Sequence, residues 1–509
     1  MSYYVTTPIY YANATPHLGH AYTTIAADVV SRFQRLIGED SFFLTGTDEH
    51  GAKLAEAAAA AGEDVQAFVD RNSQRFRDLL PVLDVGDHSF IRTTDPAHKA
   101  YVQQVLAQLH EQGDIYSAEY SGLYCTGCEA YYVEADLIDG TTCPIHKTPV
   151  TSMQETNWFF RLSAYQERLA TFLHDNPDWV QPRSRYNEAL SFIERGLEDL
   201  SISRSSITWG VEVPWDPSHV FYVWIDALFN YRSALGFVRE GDDVVERYWP
   251  PALQLLAKDI LKFHAVIWPA LLMAAGLELP RRLFIHGYLT MGGDKMSKSL
   301  GNVFDPFPVI EAHGPDPVRF YVLREVQFGA DGAVSQDGFE RRYDTELAND
   351  LGNLVSRSAS MLVKYRGDDE GVAQVPEVPS GVEFARSAAV MVERWKQQMT
   401  EIDLSGALET VWTFVRELNR HVEERAPWKL AKDPAHDQLL ETTLGELAEG
   451  LMAVAYALSP VMPATSGRIA ATFGVTPEEL AAWRWGIASG RDVTKPEPLF
   501  PRLERVTTA

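Results

Sequence analysis

Thr15-Pro16-His17-Leu18-Gly19-His20 follows an apolar run, Tyr3-Tyr4-Val5, and opens a segment with helical patterning from Ala21 to Leu36. Pro16 suits the first turn of that helix. A helix start presents unpaired N–H groups and partial positive charge, which favour a phosphate. His17 and His20 are three residues apart, so both imidazoles can face one ligand and donate to its oxygens. Gly19, with no Cβ, lets a flat purine approach the backbone. Alone, the stretch suits a chance histidine pair equally well.

A second stretch, Lys295-Met296-Ser297-Lys298-Ser299, follows Gly292-Gly293-Asp294. The glycines make a pliable segment, and lysine is a point charge suited to phosphate. Cations that reach a triphosphate as charge develops on it bind the transition state better than the ground state. An isolated Lys-x-x-Lys pair is more often a solvated loop. After the histidine pair, it reads as the other half of a split nucleotide site.

Together the two stretches resemble the HIGH and KMSKS signatures of the class I aminoacyl-tRNA synthetases. The second matches in all five positions; the first has Leu18 for isoleucine, a volume-conserving exchange. The resemblance implies an α/β chain with a Rossmann-type catalytic domain split by an insertion. It further implies ATP, Mg2+ and a tRNA as partners. By the same resemblance His17, Gly19, His20 and Lys298 bind ATP, and His17, His20, Lys295 and Lys298 are catalytic.

The 509 residues allow roughly three domains of about 150 residues, which leaves no room for the large editing insertion of the longest relatives. All three cysteines fall in one module: Cys125-Thr126-Gly127-Cys128, then Cys143-Pro144-Ile145-His146 after fourteen intervening residues. Two clamps at that spacing read as one structural Zn2+ knuckle with ligands Cys125, Cys128, Cys143 and His146. The alternative is three free thiols and an unrelated histidine. An odd cysteine count gives no disulfide framework and points to a reducing compartment. Synthetases with this kind of knuckle carry one or two; this chain has residues for one, and its histidine departs from an all-cysteine set.

Other segments resemble the methionine-specific branch of that family. Asp48, in Thr45-Gly46-Thr47-Asp48-Glu49-His50-Gly51, ends a strand-like run and precedes an alanine-rich helix. A carboxylate at a parallel-strand end can hold the α-ammonium of an amino acid, although Asp also caps helices. By resemblance, methionine is bound by Ile9, Tyr11, Asp48, Trp224, Ala227, Leu228, Tyr231, Asp259, Ile260 and His264. A polarisable thioether packs well on aromatic rings, and Tyr11 or His264 can offer its sulfur a weak donor. Leu228 stands where relatives can have proline. Arg204, in Ser201-Ile202-Ser203-Arg204, resembles the catalytic arginine that supports ATP. The implied reaction makes methionyl-adenylate and transfers methionine to the 3′ end of tRNA(Met), with no protein nucleophile.

From about Thr345 apolar residues recur at helical spacing: Leu351, Leu354, Val355 and Met361, then Leu408, Val411, Phe414, Val415 and Leu418. Arg366 to Gly381 reads as a loop. Asn353, Arg357 and Trp428 resemble the elements that read the CAU anticodon, by base-edge pairing and stacking; the other reading of Trp428 is core. The expected domains are a catalytic first half at 1–115 and a connective insertion with the knuckle at 116–220. A catalytic second half at 221–345 and an all-α anticodon-binding helix bundle at 346–509 follow.

A formal charge of −25 has the wrong sign for a non-specific nucleic-acid binder. Local cationic patches are therefore expected to meet the tRNA, with Arg281-Arg282, Lys295 and Lys298, and Arg416 and Arg420 as candidates. No secretory or membrane-spanning segment is evident, so a cytoplasmic protein is expected. The resemblance ends without the C-terminal dimerising module that some relatives append, so a monomer is expected. Three rival readings are a small-molecule adenylyltransferase, a cysteinyl-tRNA synthetase and a non-enzymatic scaffold. The helical C-terminal region, the knuckle-like clustering of the cysteines and the intact signatures argue against them in turn.

Overall fold

Every residue of Asp40–Asp48 after the first is buried, so the run reads as a strand covered on both faces. It is the axis of a seven-stranded sheet whose pairings are all parallel. On one flank it pairs Ser2–Thr6 and, further along, Tyr10–Tyr11; on the other it pairs Ser89–Arg92. The sheet continues from Ser2–Thr6 through Ala252–Ala257 and Arg282–His286 to Val180–Gln181. Gly46 is required here, because a Cβ at that position would lie 2.1 Å from the Ile91 carbonyl oxygen. This is the Rossmann-type α/β architecture expected.

The computed structural model describes residues 2–125, 130–132, 134–144, 147–237, 244–291 and 305–501. Cys128, His146, Lys295 and Lys298 lie outside the described residues. The chain divides into two compact units. The first holds Met1–Ala27, Glu39–Pro81 and Val85–His286; the second holds Asp28–Gly38, Val82–Asp84 and Gly287–Ala509.

In the first unit the parallel sheet shares its unit with a four-stranded antiparallel sheet. There Ile115–Cys125 pairs with both Ala130–Tyr132 and Thr151–Phe160, and the last pairs with Leu200–Ser201. In sequence its strands lie between Ser89–Arg92 and Ala252–Ala257 of the first sheet, with Val180–Gln181 of the first falling between Thr151–Phe160 and Leu200–Ser201. The helix predicted from Ala21 begins at Leu18 instead. The Ala21 N–H bonds the His17 carbonyl at 3.2 Å, and Leu18 is buried, so the first turn closes around the histidines.

The second unit is mainly helical. Asn353–Arg366, Glu383–Glu401, Leu404–Arg425 and Asp437–Leu458 pack on one another. Leu354, Val355 and Met361, and Leu408 through Leu418 at the expected spacing, face inward. Asp437–Leu458 is buried on every residue from Thr443 to Leu458, so neighbours surround its C-terminal turns on all sides. The predicted loop after Arg366 is real, apart from a two-residue strand, Ala373–Gln374, paired with Asp492–Val493.

Candidate active site

A parallel sheet gathers the ends of its strands on one edge, where ligands of open α/β sheets bind. Four stretches arrive there: the chain after Thr6, Asp48, the turn Lys258–Ile260 after Ala252–Ala257, and His286.

The His17 and His20 rings stack with centroids 3.8 Å apart. The His17 N–H donates to His20 Nδ1 at 3.2 Å, and the Gly19 N–H donates to His17 Nδ1 at 3.1 Å. An Nδ1 that accepts leaves the proton on Nε2 in a neutral imidazole. Burial, with Tyr10 at 4.8 Å and Phe76 at 5.1 Å from its ring, pushes His20 down to about 3, and His17 adds to this. Burial lowers His17 as well. The pair therefore presents two neutral Nε2–H donors at a helix start, which suits phosphate oxygens.

Asp48 is buried at the last position of its strand, and its carbonyl accepts the Ala12 N–H at 3.0 Å. The following helix starts at Ala52 with Gly51 as its cap, so Asp48 is no N-cap. Burial raises Tyr231, and negative charge at Asp48 adds to the effect. Ile9, Tyr11 and Trp224 border one apolar cluster that contains Leu228, Tyr231 and Ile260. Trp224 stacks on Phe263 at 4.1 Å and lies edge-on to His264 at 6.4 Å. Ala227 is buried on the helix Val223–Leu228. A wide π-type turn, Phe263–Ile267, carries His264; such turns recur at functional sites.

The two donors expected for the sulfur are engaged elsewhere. The Tyr11 hydroxyl donates to the His50 carbonyl at 3.0 Å. His264 Nδ1–H donates to the Ile260 carbonyl at 3.0 Å, and its Nε2 accepts from the Tyr231 hydroxyl at 2.7 Å. What remains for an apolar side chain is shape and aromatic surface.

The remaining expected residues are placed as follows. Arg204 is 3% exposed; it donates to the Ser203 carbonyl at 2.7 Å and to Ser201 Oγ at 3.1 Å, with the Tyr222 ring 4.5 Å away. Asp259 is exposed in the turn Lys258–Ile260. In the helical unit Asn353 is exposed, and Arg357 lies 5.9 Å from the Trp428 ring centroid and bonds Glu423 at 2.8 Å. Trp428 is 36% exposed, so it is not core. Ala426 adopts a left-handed conformation that ends Leu404–Arg425, and Pro427 starts a new turn that carries the ring outward. Of the expected cationic patches, Arg281 and Arg420 are exposed, Arg282 is partly buried and bonded to Tyr3, and the exposed Arg416 is paired with Glu409.

The family of tRNA synthetases class I (M) matches residues 3–149 and 133–359. The methionine–tRNA ligase of Caldanaerobacter subterraneus is 44% identical over 509 residues, covering 99% of this chain and 79% of that protein. Its counterpart from Streptomyces coelicolor is 44% identical over 528 residues, covering 100% and 98%. The Mycobacterium tuberculosis methionyl-tRNA synthetase in complex with methionyl-adenylate superimposes with a TM-score of 0.93 at 43% identity, covering 98% of this chain and 100% of that one. The chain belongs to the methionine–tRNA ligase family.

Within this methionine–tRNA ligase fold, sequence reading missed the groups behind the site. His50 stands two residues after Asp48, and Asp226 stands between Trp224 and Ala227, but 176 residues separate the two, and nothing in the chain announces their contact. Nor does it announce Thr23 Oγ1 at 2.9 Å from His286 Nε2.

Burial of His264 carries a stability consequence for this family member. It lowers the imidazole from 6.5 to about 4 in the folded protein, with the Ile260 bond opposing. Below pH 6.5 the unfolded chain takes up a proton that the folded chain refuses, so stability falls as pH drops from 6.5 to 4. The contribution is at most about 3 kcal/mol. His264→Gln is expected to flatten the decline of the thermal midpoint across that window. Parallel curves for the two proteins would contradict it.

Proposed function

We propose that this chain activates L-methionine with ATP and transfers it to tRNA(Met), with each residue acting as follows. The methionine carboxylate attacks the ATP α-phosphorus. The bond to the bridging oxygen breaks, and pyrophosphate leaves with methionyl-adenylate bound. The terminal adenosine hydroxyl of the tRNA then attacks the carbonyl, and AMP leaves. The observation that carries the reading is the pair of neutral Nε2–H donors at the sheet edge where Asp48 also ends its strand. It stands in a chain that is similar along its length to a methionyl-tRNA synthetase solved with methionyl-adenylate.

His17 and His20 donate to phosphate oxygens as charge grows there, and Gly19 admits the purine. Lys295 and Lys298 close on the triphosphate, by their sequence match. Asp48 holds the α-ammonium, and Asp259 assists. Ile9, Tyr11, Trp224, Ala227, Leu228, Tyr231, Ile260 and His264 line the side-chain pocket. Arg204 supports ATP from the short strand Ser203–Arg204, which pairs antiparallel with Asp216–Phe221. Mg2+ accompanies ATP and neutralises triphosphate charge.

Cys125, Cys128, Cys143 and His146 hold one structural Zn2+. The two described cysteines support this: both thiols are buried, Cys125 closing a strand and Cys143 in a loop bonded to Thr148 and Lys147. The zinc would hold this module together and takes no part in a reaction step. The four domains at 1–115, 116–220, 221–345 and 346–509 are part of the same reading.

ATP–pyrophosphate exchange with each of the twenty amino acids, without tRNA, tests the activation step. Exchange with methionine alone is expected; exchange with cysteine, or with none in folded protein, would overturn it. About one zinc per chain is expected on metal analysis, and active protein without zinc would remove the knuckle.

Asn353, Arg357 and Trp428 meet the anticodon in the helical domain. The exposed Trp428 ring suits an unpaired base, worth about 1–3 kcal/mol by stacking. Trp428→Ala is expected to lower charging efficiency about 10- to 100-fold and to leave exchange unchanged. Equal loss in both assays would point to a structural ring instead.

A further inference from the structure

Asp226 lies between Trp224 and Ala227 in sequence, on the same short helix, and its carboxylate is fully buried. Its Oδ2 accepts from His50 Nδ1 at 2.8 Å, and its Oδ1 accepts from His98 Nε2 at 3.2 Å. His98 Nδ1 meets Ser233 Oγ at 2.7 Å, and that oxygen lies 3.3 Å from the Asn230 carbonyl. His50 and His98 are also buried. A carboxylate out of water is tolerated only while its donors stay in place, so such a network holds its members in fixed relation.

His50 is two residues after Asp48. The residue between them is equally fixed: the buried Glu49 takes Arg92 in two bonds of 2.7 and 2.8 Å and the Thr47 hydroxyl at 2.6 Å. Its own carbonyl accepts Trp209 Nε1–H at 2.6 Å. Tyr11 binds the His50 carbonyl from the other side. The backbone around Asp48 is thus tied at Ala12, at Glu49 and at His50. Of these ties, the one through His50 reaches the helix Val223–Leu228.

We propose that Asp226 is a positioning residue for methionine: through His50 it fixes the Asp48 carboxylate relative to the helix that carries Trp224, Ala227 and Leu228. The ammonium site and the side-chain wall then keep one spacing, the spacing of an α-amino acid with a four-atom side chain. This rests on the reading of Asp48 and Trp224 as methionine contacts.

Hydrogen-bond accounting separates two substitutions. In Asp226→Asn the amide oxygen can still accept from His50, and the amide N–H can donate to His98 Nε2. His98 then carries its proton on Nδ1 and donates to Ser233, which donates to Asn230. All partners stay satisfied. Asp226→Ala leaves His50 untied.

The test is steady-state ATP–pyrophosphate exchange with methionine and ATP varied separately. Asp226→Ala is expected to raise KM for methionine at least about tenfold and to leave KM for ATP within about twofold. Asp226→Asn is expected to bring KM for methionine back to within about threefold of the parent. An unchanged KM for methionine in Asp226→Ala overturns the proposal. So does equal loss toward both substrates that the asparagine variant does not rescue. If Asp226→Ala fails to fold, His50→Leu and His50→Asn ask the same question from the other end: leucine keeps bulk without the N–H, and asparagine restores a donor near Nδ1. His50→Leu with an unchanged KM for methionine also overturns it. Asp48→Asn run in parallel keeps the two readings apart. If it is silent, the methionine site itself is misread; if it is severe beside a silent Asp226→Ala, only the positioning role falls.

Discussion

Replacing His20 by alanine is expected to slow ATP–pyrophosphate exchange by about two to three orders of magnitude, with little change in KM for methionine. The expectation follows from tautomers. Each imidazole of the pair accepts a backbone N–H on Nδ1, at 3.2 and 3.1 Å, so each points a proton outward from Nε2. A preorganised donor aimed at developing charge is worth about 10²–10³ in rate, because it needs no reorganisation when the charge appears. His20 is also pushed down to about 3 by burial and by His17, so the free enzyme keeps this donor neutral across the working range of pH. A falling rate between pH 8 and 6 must then arise elsewhere. His20→Gln is the informative companion, since a glutamine amide N–H falls near the Nε2 position. It should recover a substantial part of the loss, although it cannot reproduce the 3.8 Å stacking with His17. If His20→Ala exchanges at a rate within threefold of the parent, the imidazole has no such role.

The parts of this site that were legible in sequence are the local ones. His17, Gly19 and His20 act through one helical turn, and a turn is written in consecutive residues. Asp48 was legible because an apolar run followed by Thr-Asp-Glu places it at a strand end, and the cap at Gly51 removed its competing reading. Trp428 was ambiguous from composition alone. The left-handed Ala426 and the turn-starting Pro427 decide it, by directing the ring outward. Distant pairings were not legible: His50 with Asp226, Glu49 with Arg92, and Thr23 with His286 join residues 43 to 263 positions apart. No periodicity encodes them. Charge was misleading for a related reason. Arg282 and Arg416 count as free cations in the sequence, but the first is bonded to Tyr3 and the second paired with Glu409. The bonds that Tyr11 and His264 make were equally illegible, because a hydroxyl or imidazole in a motif says nothing about which carbonyl accepts its proton.

Asp48→Asn is expected to lower kcat/KM for methionine in the exchange reaction by about 10²–10³, with KM for ATP nearly unchanged. The substitution keeps the shape of the side chain and the strand-end bond from the Ala12 N–H to the residue 48 carbonyl. It removes the charge alone. Asp48 is 5% exposed, and its negative charge acts on the buried phenol of Tyr231. An ammonium brought there has little water to replace a lost carboxylate. Removing one partner of a desolvated charge pair costs about 2–5 kcal/mol, most of it for the charge left unpaired. At 1.36 kcal/mol per decade, the middle of that range is about 10²–10³. A substrate analogue distinguishes this from a general loosening of the pocket. 4-(Methylthio)butanoate keeps the thioether and the carboxylate but has no α-ammonium. It should compete weakly with methionine in the parent, and no more weakly in Asp48→Asn, since it has no ammonium to lose a partner. A variant in which methionine and the analogue weaken by the same factor would mean that Asp48 shapes the wall and does not hold the ammonium. A variant in which neither weakens would move the ammonium site to another carboxylate, with the exposed Asp259 as the next to be tested.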